Sequence, residues 1–487
     1  MGHHGKWQTN GLSHMTPPNI LLVTIHAARM PGIGGEVRAH YFIRAAAKFG
    51  RVTLVSLCGS AIQQQVPHSL VELCARVIQP SSSEANGLLT ERRKGRFFSW
   101  FQTITTLVFP WRNHWQNFLR YCVQFCGPPR DVTSGAKKRL GQRILQTVLR
   151  WQYQIFAKAF GLPPITCAAY VPAFERLWPE IQNCLRGTKL DVIWIEDVFA
   201  YPFAERILSE SGNSSIRVIC NSYNIETFVF ERTALASESP QVRRHWYSQS
   251  HITRRMEVAV YRRSHLIFVC SEQDRELGLK LVPAGNFQVI GNGVNIDYFC
   301  SDPNVPKAKS PTLLFTGGFG YGPNPEALKF FVQQVLPLVR MVKPEVKFVF
   351  AGSQAKQAKH DLSIDDEAIK CVSDPADIRP CFQAAWVFVV PLLVGGGTRL
   401  KILEAMSMGV PVVSTTVGAE GLGAENGTHL LIADTPQEFA DAVVRLLNDS
   451  ALQNRIKTVA AEWVRTRYSW ESLSPQITQQ LEALDAI

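Results

Sequence analysis

The chain contains no apolar run of the roughly 18 residues needed to span a bilayer, and its first residues lack the charged-then-apolar order of a signal peptide. Membrane-spanning and exported classes are therefore not expected, and the sequence points to the cytoplasm. None of its 11 cysteines forms a Cys-x-x-Cys pair, and an odd, scattered set reads as reduced thiols rather than a disulfide framework or zinc site. Acidic residues are in deficit, 40 against 51 basic ones, which leaves a net charge of +11. That excess implies an acidic partner: nucleotide diphosphates, anionic membranes and nucleic acids all qualify. No recognition helix or aromatic-basic RNA motif is present, so nucleic acid is set aside.

What is present is an α/β pattern. Short apolar runs alternate with helical stretches, as in parallel sheets covered on both faces. Strands are expected at 19–25, 52–57, 191–195, 217–220 and 266–270, and again, after a polar Pro/Lys/Ser stretch at 302–311, at 312–316, 346–351, 386–390, 411–414 and 429–432. At 487 residues with 46% apolar and 19% charged content, the chain exceeds what one core usually supports. Two Rossmann-like domains follow, at 19–283 and 284–465, with residues 1–18 as a tail, an aromatic and basic insertion around 84–165, and a final helical segment at 466–487.

The most informative stretch is 390–414, VPLLVGGGTRLKILEAMSMGVPVVS. It reads as a buried strand, a glycine turn, a short helix opened by Thr398 and closed by Gly409, and a second buried strand. Gly395, Gly396 and Gly397 permit backbone amides to approach an anion without a Cβ in the way. Arg399 and Lys401 follow in the first helical turn, where basic residues oppose the helix dipole at roughly 0.3 to 1 kcal/mol each when exposed; a bound diphosphate resolves that conflict. Glu404, three residues after Lys401, faces the same side and can accept two ribose hydroxyls.

With Leu403, Glu404, Ala405 and Met406 followed by Gly409, Val410, Pro411, Val412 and Val413, this unit resembles the group 1 (family four) retaining glycosyltransferases, whose GT-B architecture sets two Rossmann-like domains face to face. The family's leading glutamate, eight residues before Glu404, is Gly396 here, and the chain is similar to the branch that carries GGGTRLKILEAM. The resemblance is strongest from residue 288 onward. It implies a donor site for a nucleotide diphosphate sugar in the second domain, an acceptor side in the first, and a last helix that crosses back to the first domain.

On that resemblance, donor binding is expected from Gly317, Gly318, Gly396, Gly397, Thr398 and Glu404. Catalytic assistance is expected from Arg399, Lys401, Tyr223 and Asn224, and acceptor-side contacts from Gly34, Gly35, Arg38, Glu196 and Glu226. Two departures stand out. Tyr223 occupies the place of a histidine that in relatives lies beside the transferred sugar, and the loop at 316–321 lacks the family's Arg and Lys, so Arg399 and Lys401 are expected to supply the charge. The sequence has no Asp-x-Asp, the metal–diphosphate motif of the other large glycosyltransferase architecture, and neither a cofactor nor a divalent metal is expected. The implied partners are a nucleotide-sugar donor and a cell-surface glycan or lipid-linked acceptor. Residues 92–130, an uncharged aromatic stretch with basic flanks, fit either a hydrophobic insertion or a peripheral contact with the inner face of a membrane. A nucleotide-sugar epimerase and a non-catalytic nucleotide-sugar-binding protein are the alternatives.

Overall fold

The computed structural model describes residues 17–26, 28, 34–57, 66–80, 167, 170–237, 239–302, 304–320, 323–394 and 398–485. Residues 1–16 of the tail, the 92–130 segment and Gly395, Gly396 and Gly397 lie outside the described residues.

Two parallel sheets organise the chain. The first holds β1 (Asn19–Thr24), β2 (Arg51–Ser56), β3 (Arg76–Ile78), β4 (Val192–Glu196), β5 (Arg217–Asn221), β6 (Leu266–Val269) and β7 (Phe287–Val289), in the order β3-β2-β1-β4-β5-β6-β7. The second holds β8 (Thr312–Thr316), β9 (Lys347–Gly352), β10 (Ile369–Ser373), β11 (Val387–Val390), β12 (Val412–Ser414) and β13 (Leu431–Ile432), in the order β10-β9-β8-β11-β12-β13. In each, strand order reverses once, between β1 and β4 and between β8 and β11. Ligands of open α/β sheets bind in the crevice at the carboxyl ends of the strands at such a reversal.

Strand periodicity divides the core of the first domain. On β1 and β4, Leu21, Val23, Ile193 and Ile195 face one apolar cluster, and Ile20, Leu22, Val192 and Trp194 face another. Side chains alternate across a strand, so a run that is apolar throughout can only be buried on both faces.

The helix Trp470–Asp485 belongs to this first core although it follows the whole second domain. Trp470, Leu473, Ile477, Leu481 and Leu484 pack in the cluster that contains Phe42, Trp194 and Phe268. Trp470 stacks on Tyr41 with centroids 4.3 Å apart and planes at 12°. The crossover holds the interdomain connection close: the Val294 amide donates to the Tyr468 carbonyl at 2.8 Å, and a Cβ on Gly293 would lie 2.6 Å from the Trp470 ring. Glycine is required there by proximity rather than by its φ.

Three strands, β3, β7 and β10, were not expected from the sequence. They are short and carry Arg76, Gln288 and Lys370 among their apolar residues, so the period-2 signal is diluted. The edge strand β7 also falls beyond the 283/284 division expected between domains; it completes the first sheet by pairing with β6.

Candidate functional site

The second-domain half of the cleft is built at the β8/β11 reversal. After β8 the backbone turns at Gly317 and Gly318. Gly352, at the end of β9, has φ of +141°, and a Cβ on it would lie 2.0 Å from the Gly317 carbonyl oxygen, so the two loops touch backbone to backbone. The Gly317 amide donates to the Ala351 carbonyl at 3.0 Å. The Gly317 amide is thus used in the loop itself. The Gly318 carbonyl accepts from Asn324 Nδ2 at 2.9 Å, and Asn324 Oδ1 accepts from Lys401 Nζ at 2.9 Å. Asn324, at the start of the helix Pro323–Phe330, thus ties the first loop to the basic helix.

That helix is Leu400–Ser407, capped by Arg399 at its N-terminus and terminated by Gly409 in the left-handed region at φ +65°. The expected start at Thr398 is therefore two residues early, and Arg399 precedes the first turn; its side chain is buried, 9% exposed. Ile402, Leu403, Ala405 and Met406 fill the core, which turns Lys401 and Glu404 together to the half-buried face. Burial pushes the Lys401 ammonium down to about 7, and the neighbouring Arg399 charge adds to the effect. Burial likewise pushes Glu404 up to about 7, opposed by Lys401. Lys401 also lies 4.7 Å above the Phe315 ring. Among the described residues none hydrogen-bonds the Glu404 carboxylate. Thr398 Oγ1 accepts from Asn292 Nδ2 at 2.6 Å, a bond between the helix entry and the interdomain connection.

The first-domain half is built at the β1/β4 reversal. Glu196, fully buried at the end of β4, accepts from Trp194 Nε1 at 3.0 Å, Asn221 Nδ2 at 2.5 Å and the Tyr223 hydroxyl at 2.8 Å. Burial raises its carboxyl to about 7 despite these donors. The Tyr223 hydroxyl is also 3.1 Å from the Gly35 carbonyl oxygen. Its one proton is thus engaged inside the protein. Gly35 is a close approach: a Cβ there would lie 2.9 Å from the Tyr223 ring and 3.0 Å from the His26 ring. Gly34 opens the same helix, Gly34–Phe49.

Arg38 is likewise engaged inside the protein. It is 1% exposed, donating through Nε to Asn221 Oδ1 at 2.9 Å and through Nη1 to the Ile290 carbonyl at 2.8 Å and Asn292 Oδ1 at 3.1 Å. It joins the first sheet to the connection and presents no face to an acceptor. Asn224 donates to Glu226 Oε1 at 2.9 Å, and burial, with Asp197 nearby, raises Glu226 to about 8.

Two residues at the centre of this half were missed in the sequence. His26, just past β1, has Nε2 2.9 Å from Asp197 Oδ2, and its ring stacks on Tyr223 at 4.9 Å and 26°. Asp197 has φ of +80°. His26 immediately follows the apolar run of β1, and Asp197 adjoins the Glu196 already singled out; their position at strand carboxyl ends was the available signal.

Residues 310–449 match the family model for group 1 glycosyl transferases. This segment is a group 1 glycosyltransferase domain. The whole chain has the GT-B arrangement: it superposes on Anabaena HepE, solved with UDP and glucose, with a TM-score of 0.57 at 14% identity, covering 96% of this chain and 100% of that one. The phosphatidyl-myo-inositol mannosyltransferase of Mycobacterium leprae is 29% identical over 203 residues, 40% of this chain and 53% of that protein. The GDP-mannose-dependent alpha-(1-6)-phosphatidylinositol monomannoside mannosyltransferase of Mycobacterium tuberculosis is 24% identical over 241 residues, 45% of this chain and 62% of that protein. Matches of this kind span about half the length of the curated relatives. No helix among the described residues is long and apolar enough to cross a membrane.

Proposed function

We propose that the protein moves a sugar from a nucleotide diphosphate sugar to an acceptor hydroxyl, with retention of the anomeric configuration and without a divalent metal. The observation that carries this reading is the pairing of Lys401 with Glu404 on one half-buried helix face at the β8/β11 reversal. A cation and a carboxylate held there, both driven toward neutrality when the site is empty, suit a ligand with an anion for the first and hydroxyls for the second. In this reading Arg399 and Lys401 meet the diphosphate as charge develops on it, and Glu404 takes the ribose. Gly396, Gly397 and Thr398 complete the phosphate loop, with the Gly318 side of the facing loop closing it.

The acceptor in this reading is a glycan or a lipid-linked hydroxyl. The lipid option is supported by the phosphatidylinositol compounds named for the two mycobacterial relatives, and residues 92–130 would then touch the inner face of a membrane. Incubation with labelled UDP-glucose and GDP-mannose, with phosphatidylinositol vesicles as acceptor, tests the function. Acceptor-dependent release of nucleoside diphosphate that survives EDTA, with an unchanged anomer in the product, is expected; turnover of neither donor would refute it. Vesicle sedimentation of the chain with and without residues 92–130 tests the membrane contact, and equal binding would end that part.

A further inference from the structure

We propose that Asn324 is a positioning residue of the donor site, whose side-chain amide aims the Lys401 ammonium at the donor diphosphate and favours its charged form. The inference rests on the donor reading above, in which Lys401 meets the diphosphate, and names the group that prepares Lys401 for it.

The loop after β8, residues 316–321, carries no Arg or Lys, yet it offers a seat for a cation from elsewhere. Asn324 is 7% exposed at the start of the helix Pro323–Phe330. Its amide is packed against the loop: a Cβ on Gly317 would lie 2.9 Å from Asn324 Cγ and 3.0 Å from both Nδ2 and Oδ1. Nδ2 donates to the Gly318 carbonyl at 2.9 Å. A carbonyl can only accept, so this bond fixes which end of the amide is nitrogen. Oδ1 is thereby turned to Lys401, 2.9 Å from Nζ. An asparagine that served only its own helix would turn that oxygen to the amides of the first turn; Asn324 engages two other segments instead.

Lys401 is held from a second direction. Phe315, fully buried on β8, sets its ring 4.7 Å from Nζ, and an aromatic face attracts a cation. An ammonium carries three N–H donors. Asn324 takes one, and among the described residues no other acceptor meets Lys401. Donors therefore remain for an anion, on a side chain whose direction two neighbours have already set. The ring and the amide lie at the β8/β11 reversal, where the second domain's crevice opens.

The charged groups that act on Lys401 are Arg399, which disfavours its charge, and Glu404, which favours it. Both belong to its own segment. The elements packed against it contribute the Phe315 ring and the Asn324 amide, neither of them charged, while Glu326 and Lys329 of the helix Pro323–Phe330 are exposed to solvent. Burial drives Lys401 toward the neutral amine. The Asn324 oxygen works against that, because a hydrogen bond from an ammonium is stronger than one from an amine. A diphosphate then completes the shift: Lys401 takes a proton from solvent as the anion binds, and Asn324 sets how readily it does so.

The test is calorimetric titration of the full chain with UDP-glucose and GDP-mannose at pH 6 and pH 8, in buffers of different ionisation enthalpy. Neither donor gains or loses a proton in that range, so any proton taken up on binding enters the protein. The parent should bind its donor more weakly at pH 8 than at pH 6, with uptake of about one proton at pH 8. Asn324→Asp keeps the shape but sets a full negative charge beside Nζ; its affinity should change less than about threefold between the two pH values, with proton uptake near zero. Asn324→Leu removes the acceptor at similar volume and should weaken binding at least about tenfold at pH 8, and distinctly less at pH 6. Losses by Asn324→Leu that are equal at both pH values, or an Asn324→Asp protein with the parent's pH dependence, would overturn the assignment alone. So would a parent whose affinity is the same at both. A parent that binds neither donor refutes the donor reading and this inference with it.

Discussion

At the scale of the residue, Lys401 and Glu404 are both altered by folding, in opposite directions. Lys401 holds its proton to 10.5 in the unfolded chain and only to about 7 when folded, so between those values the unfolded state binds more protons and stability rises with pH. Glu404 moves the other way, from 4.5 to about 7, so stability falls as pH climbs through that window. Together they place a minimum in the empty protein's stability near pH 7; melting curves of Lys401→Met/Glu404→Gln beside the parent from pH 5 to 10 should show the double variant flatter. Nucleotide binding carries the complementary signature. A diphosphate favours the charged ammonium, so UDP or GDP affinity should weaken as pH rises above about 7, and Lys401→Met should remove that dependence. Glu404→Ala should weaken nucleotide binding roughly ten- to a hundred-fold, as loss of hydrogen bonds to a charged group at ~1.5 to 3 kcal/mol implies; an unchanged titration would remove Glu404 from the site. Lys401 and Glu404 were legible in the sequence because they lie three residues apart on one helix. His26 and Asp197 were not, because 171 residues separate them and only the β1–β4 pairing brings them together.

At the scale of the element, the helix Glu226–Ala236 shows how a site can be held from outside its own segment. Its N-cap position is Ile225, which supplies no side-chain cap. Glu257, from the neighbouring helix Pro240–Arg263, instead accepts from the Glu226 amide at 2.7 Å and from the Thr227 amide at 3.1 Å. Burial raises Glu257 to about 7, so the cap is fully anionic only in mildly alkaline solution. Glu257→Ala should cost about 3 kcal/mol at pH 8, from charge-assisted bonds lost at a helix start, read as a lower denaturation midpoint. The strands with long apolar runs were readable because burial on both faces leaves a continuous signal. The short edge strands β3, β7 and β13 were harder to delimit, since two or three paired residues are fixed by a neighbour rather than by their own pattern. Of the loop at 316–321 the sequence disclosed the glycines but not their use; the Gly317–Gly352 contact depends on two strand ends meeting.

At the scale of the whole molecule, few polar ties among the described residues join the halves. Arg232 donates to Glu420 at 2.9 Å and Gln273 to the same carboxylate at 2.7 Å, while Arg38, Asn292 and Thr398 form a second link through the connection. The Arg232–Glu420 pair is partly exposed, so its contribution is of order 1 kcal/mol or less. Glu420→Ala should therefore shift the balance between closed and open arrangements by up to about fivefold, seen as a larger radius of gyration by X-ray scattering with UDP or GDP affinity unchanged. The crossover helix bears on biosynthesis. A ribosome makes the first sheet long before residues 470–485, so the nascent first domain must wait with one greasy flank bare until translation has passed the whole donor half. Its maturation is tied to the stretch of message that encodes this helix, and a premature stop near codon 470 would strand an otherwise intact donor half beside an aggregation-prone partner.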